Sequence, residues 1–557
     1  MKTRYLILGI FIAGLTFNAC KEDSFNEKYT NPAGVATTAV DKMMTGVFHA
    51  GLDFISPTYW RFFGHDNQGI GALSQNWGMP MEASLYESGY APHRDEGAWD
   101  VYCRTAIQFK NLESIFNNIP EADQTIFRSY YLIAKAFTYQ IMLQMLDEVG
   151  GAIDGKGGLP WSQIGKLHTT GKVVHPDLDP APVLYKEIID ELGAINRELE
   201  NAKNIAAAYD FINDGDIDKW KKYINSMRLR AAIRVSNQGE LATLGQAAIK
   251  DILETNKDIC PVVTNLNDMI QVVNRGDGDF NWSRLEGISD GMTDGNWNAG
   301  RSASFPMLRL LGLKVNNSNP NLADVDPRLP LIYDKKKNGD NAYRGVELAP
   351  GKTEGATEYA EAVGTTTPPY SWINHRSFIE NKNISGYIVT ASEIYFYKAE
   401  AIKRGIISGD AKAEFMNGVI ESVKFYANIN AKAQPKGTLP ENIEILSPRV
   451  NMSIWTDDKL STYAESLWKD NTDCIYEQLW LHCSINNVVE SWNTIRRTGI
   501  PKLYYPTVSS QKSPTVPQRL VIPQRELQYN ITLRDKGVDA DVKIGYQLVP
   551  FWAKKVE

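Results

Sequence analysis

The chain has 557 residues, of which 43% are hydrophobic and 22% are charged. This composition supports a large apolar core and excludes the disordered, collagen-like and disulfide-scaffold classes of protein. The 59 Lys and Arg residues against 66 Asp and Glu give a net charge of −7 without a basic block, so nucleic acid is not an expected partner. Length alone, at about 150 residues per domain, would suggest three or four domains.

The first twenty residues have the pattern of a secretory signal. Lys2 and Arg4 precede an apolar run over residues 5–15, which is too short to cross a bilayer as a helix, because that takes about 20 residues. The run leads to Ala19 and Cys20, a placement that suggests lipid attachment to the cysteine. We therefore expect residues 1–19 to be removed and Cys20 to anchor the mature chain. The alternative is an ordinary signal peptide in which Cys20 is incidental.

Apolar residues recur at intervals of three and four along much of the chain, which predicts amphipathic helices. Two predicted helices have apolar faces over 99–116 and 126–141 and are separated at Pro120. They form a hairpin that ends at Gly150, because glycine adopts a left-handed backbone at little energetic cost. Further predicted helices cover residues 180–199, 214–236, 391–404, 411–433 and 472–497.

Residues 264–385 differ from the rest, because Gly, Asn, Asp and Pro are frequent and sustained periodicity is lacking. This pattern predicts long loops with at most short strands or helices. Helical pairs around one loop-rich insertion favour a single α-helical domain over residues 20–557 rather than several domains.

Several short motifs match catalytic or metal-binding patterns without the required context. Residues 287–291 read G-x-S-x-G but lack the strand and helix that flank a nucleophile elbow. The run Asp214, Asp216 and Asp218 lacks the Gly and Glu of an EF-hand, so we interpret it as helix capping and leave an irregular calcium site open. The seven histidines are scattered and the later cysteines have no CxxC spacing, so no metal or other cofactor is expected.

Glu393 and Glu400 lie seven residues apart and so share one helical face. A pair of carboxylates could serve glycoside hydrolysis. Acids on such a helix more often form ion pairs with Arg or Lys of a neighbouring helix, and this is the interpretation that we favour.

Six aromatic residues stand in polar, glycine-rich surroundings and are candidate ligand contacts. A flat indole or phenol ring can stack against the C–H face of a sugar while nearby polar groups bond the hydroxyls. The competing interpretation is that each ring fastens its loop to the body of the protein. The candidates are Trp77, Tyr86, Trp282, Trp297, Tyr370 and Trp372.

Several segments spread over the mature chain carry recognisable patterns. They are CKEDS at Cys20, GGLPWSQI, DGDIDKWKKYINSMRLRAAIRVS, DPRLP at 326–330, TASEIYFYKAEAIKRG with Glu393 and Glu400, VVESWNTIRRTGIPKL and QRLVIPQRELQYN. The matching positions include Trp220, Asn225, Arg228, Arg230, Arg234, Trp492, Arg496, Arg497, Gly499, Pro501, Arg519 and Glu526. Together these segments resemble the SusD/RagB family of nutrient-binding outer-membrane lipoproteins, in particular its SusD-like branch from Bacteroidetes. Gln524 and Arg525 depart from a Tyr-Pro pair that is frequent in the family.

The resemblance implies an all-α fold of four tetratricopeptide-like units, with loops over them forming the ligand surface. It also implies a non-catalytic, lipid-anchored protein of the outer membrane, exposed at the cell surface, that binds a glycan or oligosaccharide and works with a SusC-like TonB-dependent transporter. The matched positions are expected to be structural, so no ligand contact carries over from the family. A peptide-binding relative is the alternative, and a glycoside hydrolase is a third hypothesis.

Overall fold

The helical class predicted from the sequence is confirmed by the computed structural model. It describes residues 39–59, 61–78, 96–150, 157–273, 302–336, 341–347, 369–434, 447–504, 518–520, 522–536 and 549–554. In these ranges no helix combines the length and apolar character needed to cross a membrane. Buried apolar side chains from Val40 to Ala553 form one continuous cluster.

The α-helices are numbered in chain order. They are α1 Ala39–Gly51, α2 Glu96–Asn118, α3 Glu121–Val149, α4 Lys166–Thr170, α5 Ala181–Glu198, α6 Ile217–Val235, α7 Ala242–Lys250, α8 Phe305–Leu310, α9 Leu329–Ile332, α10 Ala391–Lys403, α11 Ala411–Lys432, α12 Asp457–Ser466, α13 Thr472–Asn486, α14 Val488–Thr498, α15 Gln524–Tyr529 and α16 Ile531–Asp535. Segments of π-helix cover Arg61–Gly71, Asp251–Thr255 and His375–Ile379. Short 3-10 turns cover Leu52–Phe54, Ala207–Tyr209, Leu266–Asp268 and Met452–Ile454.

Consecutive helices pack as pairs, which agrees with four tetratricopeptide-like units. The pairs are α2 with α3, α5 with α6, α10 with α11 and α13 with α14, while α1 lies against the first pair. The first pair separates at Pro120 as predicted. Its second helix ends at Gly150, but the reason differs from the expectation. Gly150 has φ −57°, and a side chain there would press a Cβ to 2.3 Å from the Leu146 carbonyl oxygen.

The single helix predicted over 472–497 is in fact two helices, α13 and α14, that meet at Asn487. Asn487 has φ −159° and ψ 72°, which interrupts the helical backbone. Its side chain accepts a hydrogen bond from the Glu490 amide and so caps α14. Apolar periodicity continues across this break because both helices bury their faces, and so the pattern alone could not reveal it.

Helix α6 begins as predicted, with an acidic cap. The Asp216 side chain accepts the amide hydrogens of Asp218 and Lys219, which confirms that this part of the acidic run caps a helix. The predicted apolar stripe from Trp220 to Val235 is buried, and so are the arginines between its members. From Tyr223 onward α6 is buried on every face, so its charges there need partners, and other helices supply them.

Glu393 and Glu400 form the ion pairs that we favoured over a catalytic role. Both are buried in α10. Glu393 accepts two hydrogen bonds from Arg230 of α6, at 2.6 and 2.7 Å, and Glu400 accepts two from Arg497 of α14, at 2.5 and 2.7 Å. Burial alone would raise the pKa of Glu400, but the charges and hydrogen bonds of Arg497 and Arg404 together outweigh it, and the pKa lies below its ordinary value. The two carboxylates therefore join helical pairs.

A second buried group of charges joins α3, α6 and α14. Arg234 bonds both oxygens of Asp147, at 3.0 and 3.1 Å, and also bonds Glu490. Burial opposes ionisation of Glu490, yet the positive charges of Arg234 and Arg230 lower its pKa to about 2. Arg234 and Arg230 are positions of the family pattern, so that pattern records the interior charge network of the fold.

His65, in the Arg61–Gly71 π-helix, lies between two carboxylates. Its Nδ1 is 2.6 Å from Asp66 and its Nε2 is 3.0 Å from Glu148. Burial and the nearby Arg61 charge each lower the pKa of His65, but Glu148 and Asp66 outweigh them and raise it to about 9. The imidazole is therefore a buried cation at neutral pH.

We expect this cation to make stability depend on pH in the alkaline range. The folded pKa of His65, about 9, exceeds the unfolded value of 6.5, so its contribution is complete below pH 6.5 and is lost as pH rises through 9. Between pH 7 and 9.5 the loss is about 2 kcal/mol in free energy of unfolding. Urea unfolding of the wild type and of His65→Gln at several pH values measures it. A fall of equal size in both proteins would assign the effect to other groups.

The loop-rich stretch predicted over 264–385 has short elements in its described part. Its longest helix there is α8, with six residues. Strand β1, Ile270–Val272, pairs antiparallel with β2, Gly386–Val389, and Ile270 faces Val389. A register irregularity follows Ile270. This sheet fastens the start of the stretch to the helical body.

Candidate functional site

Four segments outside the described residues, 79–95, 274–301, 348–368 and 505–517, begin or end close to a small group of residues that are bonded to one another. We call the described residues 75–78, 302–304, 344–346 and 370–372 the loop-base cluster. Its members lie far apart in the sequence but are joined by short bridges. Trp77 pairs with Ala303, Ser302 with Trp372, and Ser304 with Val346.

Backbone hydrogen bonds hold the cluster together. The amide of Gly78 donates to Ser302 at 2.8 Å, and the amide of Ala303 donates to Ser371 at the same distance. Val346 donates to Ala303, again at 2.8 Å. Residues 302–304 are therefore the central strand-like segment, with the other segments bonded along both of its edges.

Gly78 is required by this close packing. A Cβ at this position would lie 2.0 Å from the Ala303 carbonyl oxygen, far inside van der Waals contact. Glycine alone lets the two backbones approach this closely, and the point of approach is the last described residue before 79–95.

The cluster also contains buried polar groups. Trp77 Nε1, Ser302 Oγ and Tyr370 OH have no hydrogen-bond partner among the described residues. Because four segments outside the described residues begin or end beside this cluster, and loops held on a rigid body commonly carry function, we take it as the candidate functional site.

The six candidate aromatics divide into two sets. Trp77, Tyr370 and Trp372 lie in the cluster and are 2%, 1% and 6% exposed. Trp77 packs edge-on against Phe62, Arg344 lies over the Tyr370 ring at 5.0 Å, and Trp372 stacks on His375. In this conformation these rings offer almost no surface for stacking and instead fasten the segments that carry them.

The other candidates, Tyr86, Trp282 and Trp297, lie outside the described residues, as does Cys20. The same holds for the G-x-S-x-G motif at 287–291. Within the part of the chain that is described, no group of three His, Cys, Asp or Glu side chains is arranged to hold a metal ion.

A separate cavity of about 40 Å³ lies where the Arg61–Gly71 π-helix, β2 and the α13–α14 junction meet. Asp66, Gln144, Tyr387 and Asn487 contribute to its walls. Ligand pockets for small molecules occupy roughly 300–1,000 Å³, so this cavity has room for a few water molecules but not for a sugar.

Sequence reasoning identified Trp77, Tyr370 and Trp372 but missed the residues that join them, among them Gln75 and Ser302. Gly78, followed closely by Pro80, is a turn signal that could have drawn attention to this position. Nothing local in the sequence pairs it with Ala303, 225 residues later, because that contact depends on the tertiary fold.

Known proteins resemble the chain over most of its length. A family model described as "Starch-binding associating with outer membrane" matches residues 51–523. No curated protein matches the chain. The fold is similar to that of a chitin-binding protein, with 21% identity and a TM-score of 0.67 over 92% of this chain and 100% of the other. A SusD homolog from Parabacteroides distasonis has 17% identity and a TM-score of 0.68 over 92% of this chain and 98% of its own. A chitin-binding SusD homolog from Flavobacterium johnsoniae has 17% identity and a TM-score of 0.63 over 91% of this chain and 98% of its own.

At these sequence identities the solved structures establish only the fold. Family membership rests instead on the family model, which matches most of the sequence. Its match spans the helical pairs, the interior arginines and the loop-base cluster. The chain therefore belongs to the SusD-like family.

Proposed function

We propose that the protein is a cell-surface lipoprotein that captures oligosaccharides and delivers them to a SusC-like TonB-dependent transporter of the outer membrane. The observation that carries this proposal is the loop-base cluster, where the ends of four segments are bonded together on a helical body. Binding surfaces are commonly built from loops held by a rigid scaffold. The family description and two chitin-binding proteins of similar fold support a sugar as ligand.

Within this proposal the two sets of aromatics have different roles. Tyr86, Trp282 and Trp297 supply rings for stacking, in segments that adjoin the cluster at Gly78 and Ser302. Trp77, Tyr370 and Trp372 support those segments from within the body, because their rings are buried.

Binding without turnover is the first test. Titration calorimetry with chitohexaose, maltohexaose and a mixed peptide library should give a measurable Kd for one of the oligosaccharides, and chromatography of the incubated sugar should find it intact. The ion pairs of Glu393 and Glu400 favour this outcome over hydrolysis. Release of shorter sugars would support the hydrolase hypothesis, and binding to peptides alone would support the peptide-binding alternative.

The stacking role is tested by Trp297→Ala. Aromatic side chains at the centre of binding surfaces commonly contribute more than about 1 kcal/mol, so the affinity for the bound oligosaccharide is expected to fall about tenfold or more. Trp455→Ala is the matched control, because it removes a Trp side chain that lies outside the loop-base cluster and packs edge-on against Tyr463 of α12. Equal affinities in the two variants would remove Trp297 from the proposed surface.

The lipid anchor is tested by Cys20→Ala. The wild type is expected in the outer-membrane fraction and the variant in the soluble fraction, because durable attachment depends on the acyl chains. A tagged wild-type protein purified from its own membranes should bring a TonB-dependent transporter with it. A variant that stays membrane-bound would contradict the anchor, and purification without a transporter would contradict the delivery step.

A further inference from the structure

Gln75 has a backbone conformation that is unusual for its residue type. Its φ of 55° lies in the left-handed region, which residues other than Gly, Asn and Asp seldom adopt. It is also buried, and it follows the 11-residue π-helix Arg61–Gly71 by four residues. Strained backbone and π-helical segments both concentrate at functional sites.

In its left-handed conformation Gln75 makes two contacts with distant segments of the chain. The backbone carbonyl oxygen accepts the Ser304 hydroxyl at 2.6 Å, and the side-chain Nε2 donates to the Tyr504 carbonyl oxygen at 2.7 Å. Ser304 belongs to the segment that follows 274–301, and Tyr504 is the last described residue before 505–517. One residue therefore bonds the ends of two separate segments.

The neighbours of Gln75 tie this joint to the helical body. The Trp480 indole donates to the Ser74 carbonyl oxygen at 3.3 Å, and the side-chain Nδ2 of Asn76 donates to the Ser491 hydroxyl at 2.7 Å. Trp480 lies in α13 and Ser491 in α14. Residues 74–76 therefore connect the last helical pair to the loop-base cluster.

We propose that Gln75 is a positioning residue for the loop-base cluster, which holds Ser304 and Tyr504 relative to each other and to α13 and α14. This inference rests on the proposed function for the ligand that the cluster serves. It adds that the left-handed backbone of Gln75 directs its carbonyl group to Ser304 and its carboxamide to Tyr504.

Two substitutions remove the bond to Tyr504. Gln75→Glu keeps the size of the side chain but replaces the donor to Tyr504 with an acceptor. Gln75→Gly removes the side chain, but it keeps the carbonyl group that Ser304 bonds and adopts the left-handed backbone without strain. Asp470→Gly is the matched control, because Asp470 also has a left-handed φ, 54°, but is exposed and bonds Lys403.

Hydrogen–deuterium exchange of the free protein provides the first readout. We expect residues 500–504 to exchange about tenfold faster in both Gln75→Glu and Gln75→Gly, while residues 302–305 keep their bond to the carbonyl group of residue 75 and exchange at the wild-type rate. The Asp470→Gly control should exchange like the wild type in both regions. Exchange at wild-type rates in both Gln75 variants would overturn the proposal.

Oligosaccharide affinity provides the second readout. With chitohexaose or maltohexaose, whichever the wild type binds, both Gln75 variants should bind about tenfold more weakly than the wild type, while the Asp470→Gly control should bind like the wild type. Undiminished affinity in a variant with faster exchange would overturn the positioning role. If the wild type binds neither sugar, the proposed function fails, while the exchange measurement still decides the role of Gln75 in holding the two segments.

Discussion

Replacing Arg234 with Met is expected to lower the free energy of unfolding by about 3–5 kcal/mol. The substitution leaves Asp147 and Glu490 buried without the cation that both of them bond. Removing one partner of a buried ion pair has this cost because the remaining charge is neither solvated nor neutralised. Urea unfolding followed by circular dichroism measures the loss.

The effect of Arg234→Met should also depend on pH. Burial already raises the pKa of Asp147 in the wild type, whereas the arginines lower that of Glu490. Without Arg234 the pKa values of both carboxyl groups rise, so the folded variant binds more protons than the unfolded chain. Its stability then falls as pH rises, and its deficit against the wild type should be larger at pH 8 than at pH 5.

Arg128→Met is the matched control for Arg234. Arg128 pairs with Glu198 at 2.5 Å, but both side chains are more than 40% exposed. Exposed pairs contribute about 0–1 kcal/mol, so this variant should unfold close to the wild type. A similar loss in both variants would show that the interior network does not hold α3, α6 and α14 together.

The second large effect is expected from Gly78→Val. The β-carbon would lie 2.0 Å from the Ala303 carbonyl oxygen, so the bond between Gly78 and Ser302 must open. Overpacking of this kind costs about 3 kcal/mol when the neighbour is backbone and cannot rotate away. Because the change separates the ends of 79–95 and 274–301, we also expect oligosaccharide binding to be lost.

Gly46→Ala controls for the loss of a glycine. Gly46 lies in α1, and a Cβ there would meet no atom within 4 Å. Alanine favours helix over glycine by about 1 kcal/mol, so this variant should be as stable as the wild type or more stable, with unchanged affinity. Thermal unfolding and calorimetry compare the two variants. Full stability and binding in Gly78→Val would remove the loop-base cluster from the proposed site.

The interior charges also bear on the family pattern. Arg230, Arg234 and Arg497 each bond a carboxylate that lies in another helix of the fold. Each of these bonds fixes how one helical pair sits on the next. These matched positions therefore identify the helical frame, while the proposed ligand surface lies in segments between them.

The sequence by itself determined the helices of the four pairs, because their signals are local, but it did not predict α1, α7 or α12. Three- and four-residue periodicity, Pro120 and the cap at Asp216 act within a few residues of each element, and the corresponding helices begin or end there. The break at Asn487 escaped this reasoning, since buried residues on both sides continue the pattern across it.

Only the tertiary structure decided which residues meet. Arg234 and Glu490 are 256 residues apart, Gln75 and Ser304 are 229 apart, and Gln75 and Tyr504 are 429 apart. No local propensity links such positions, because their contact follows from how the helical pairs stack. The same stacking buries Trp77, Tyr370 and Trp372, whose surroundings in the sequence resemble those of exposed loops. Hydrophobic periodicity thus specified the helical frame, and the packing of that frame created both the ion pairs and the loop-base cluster.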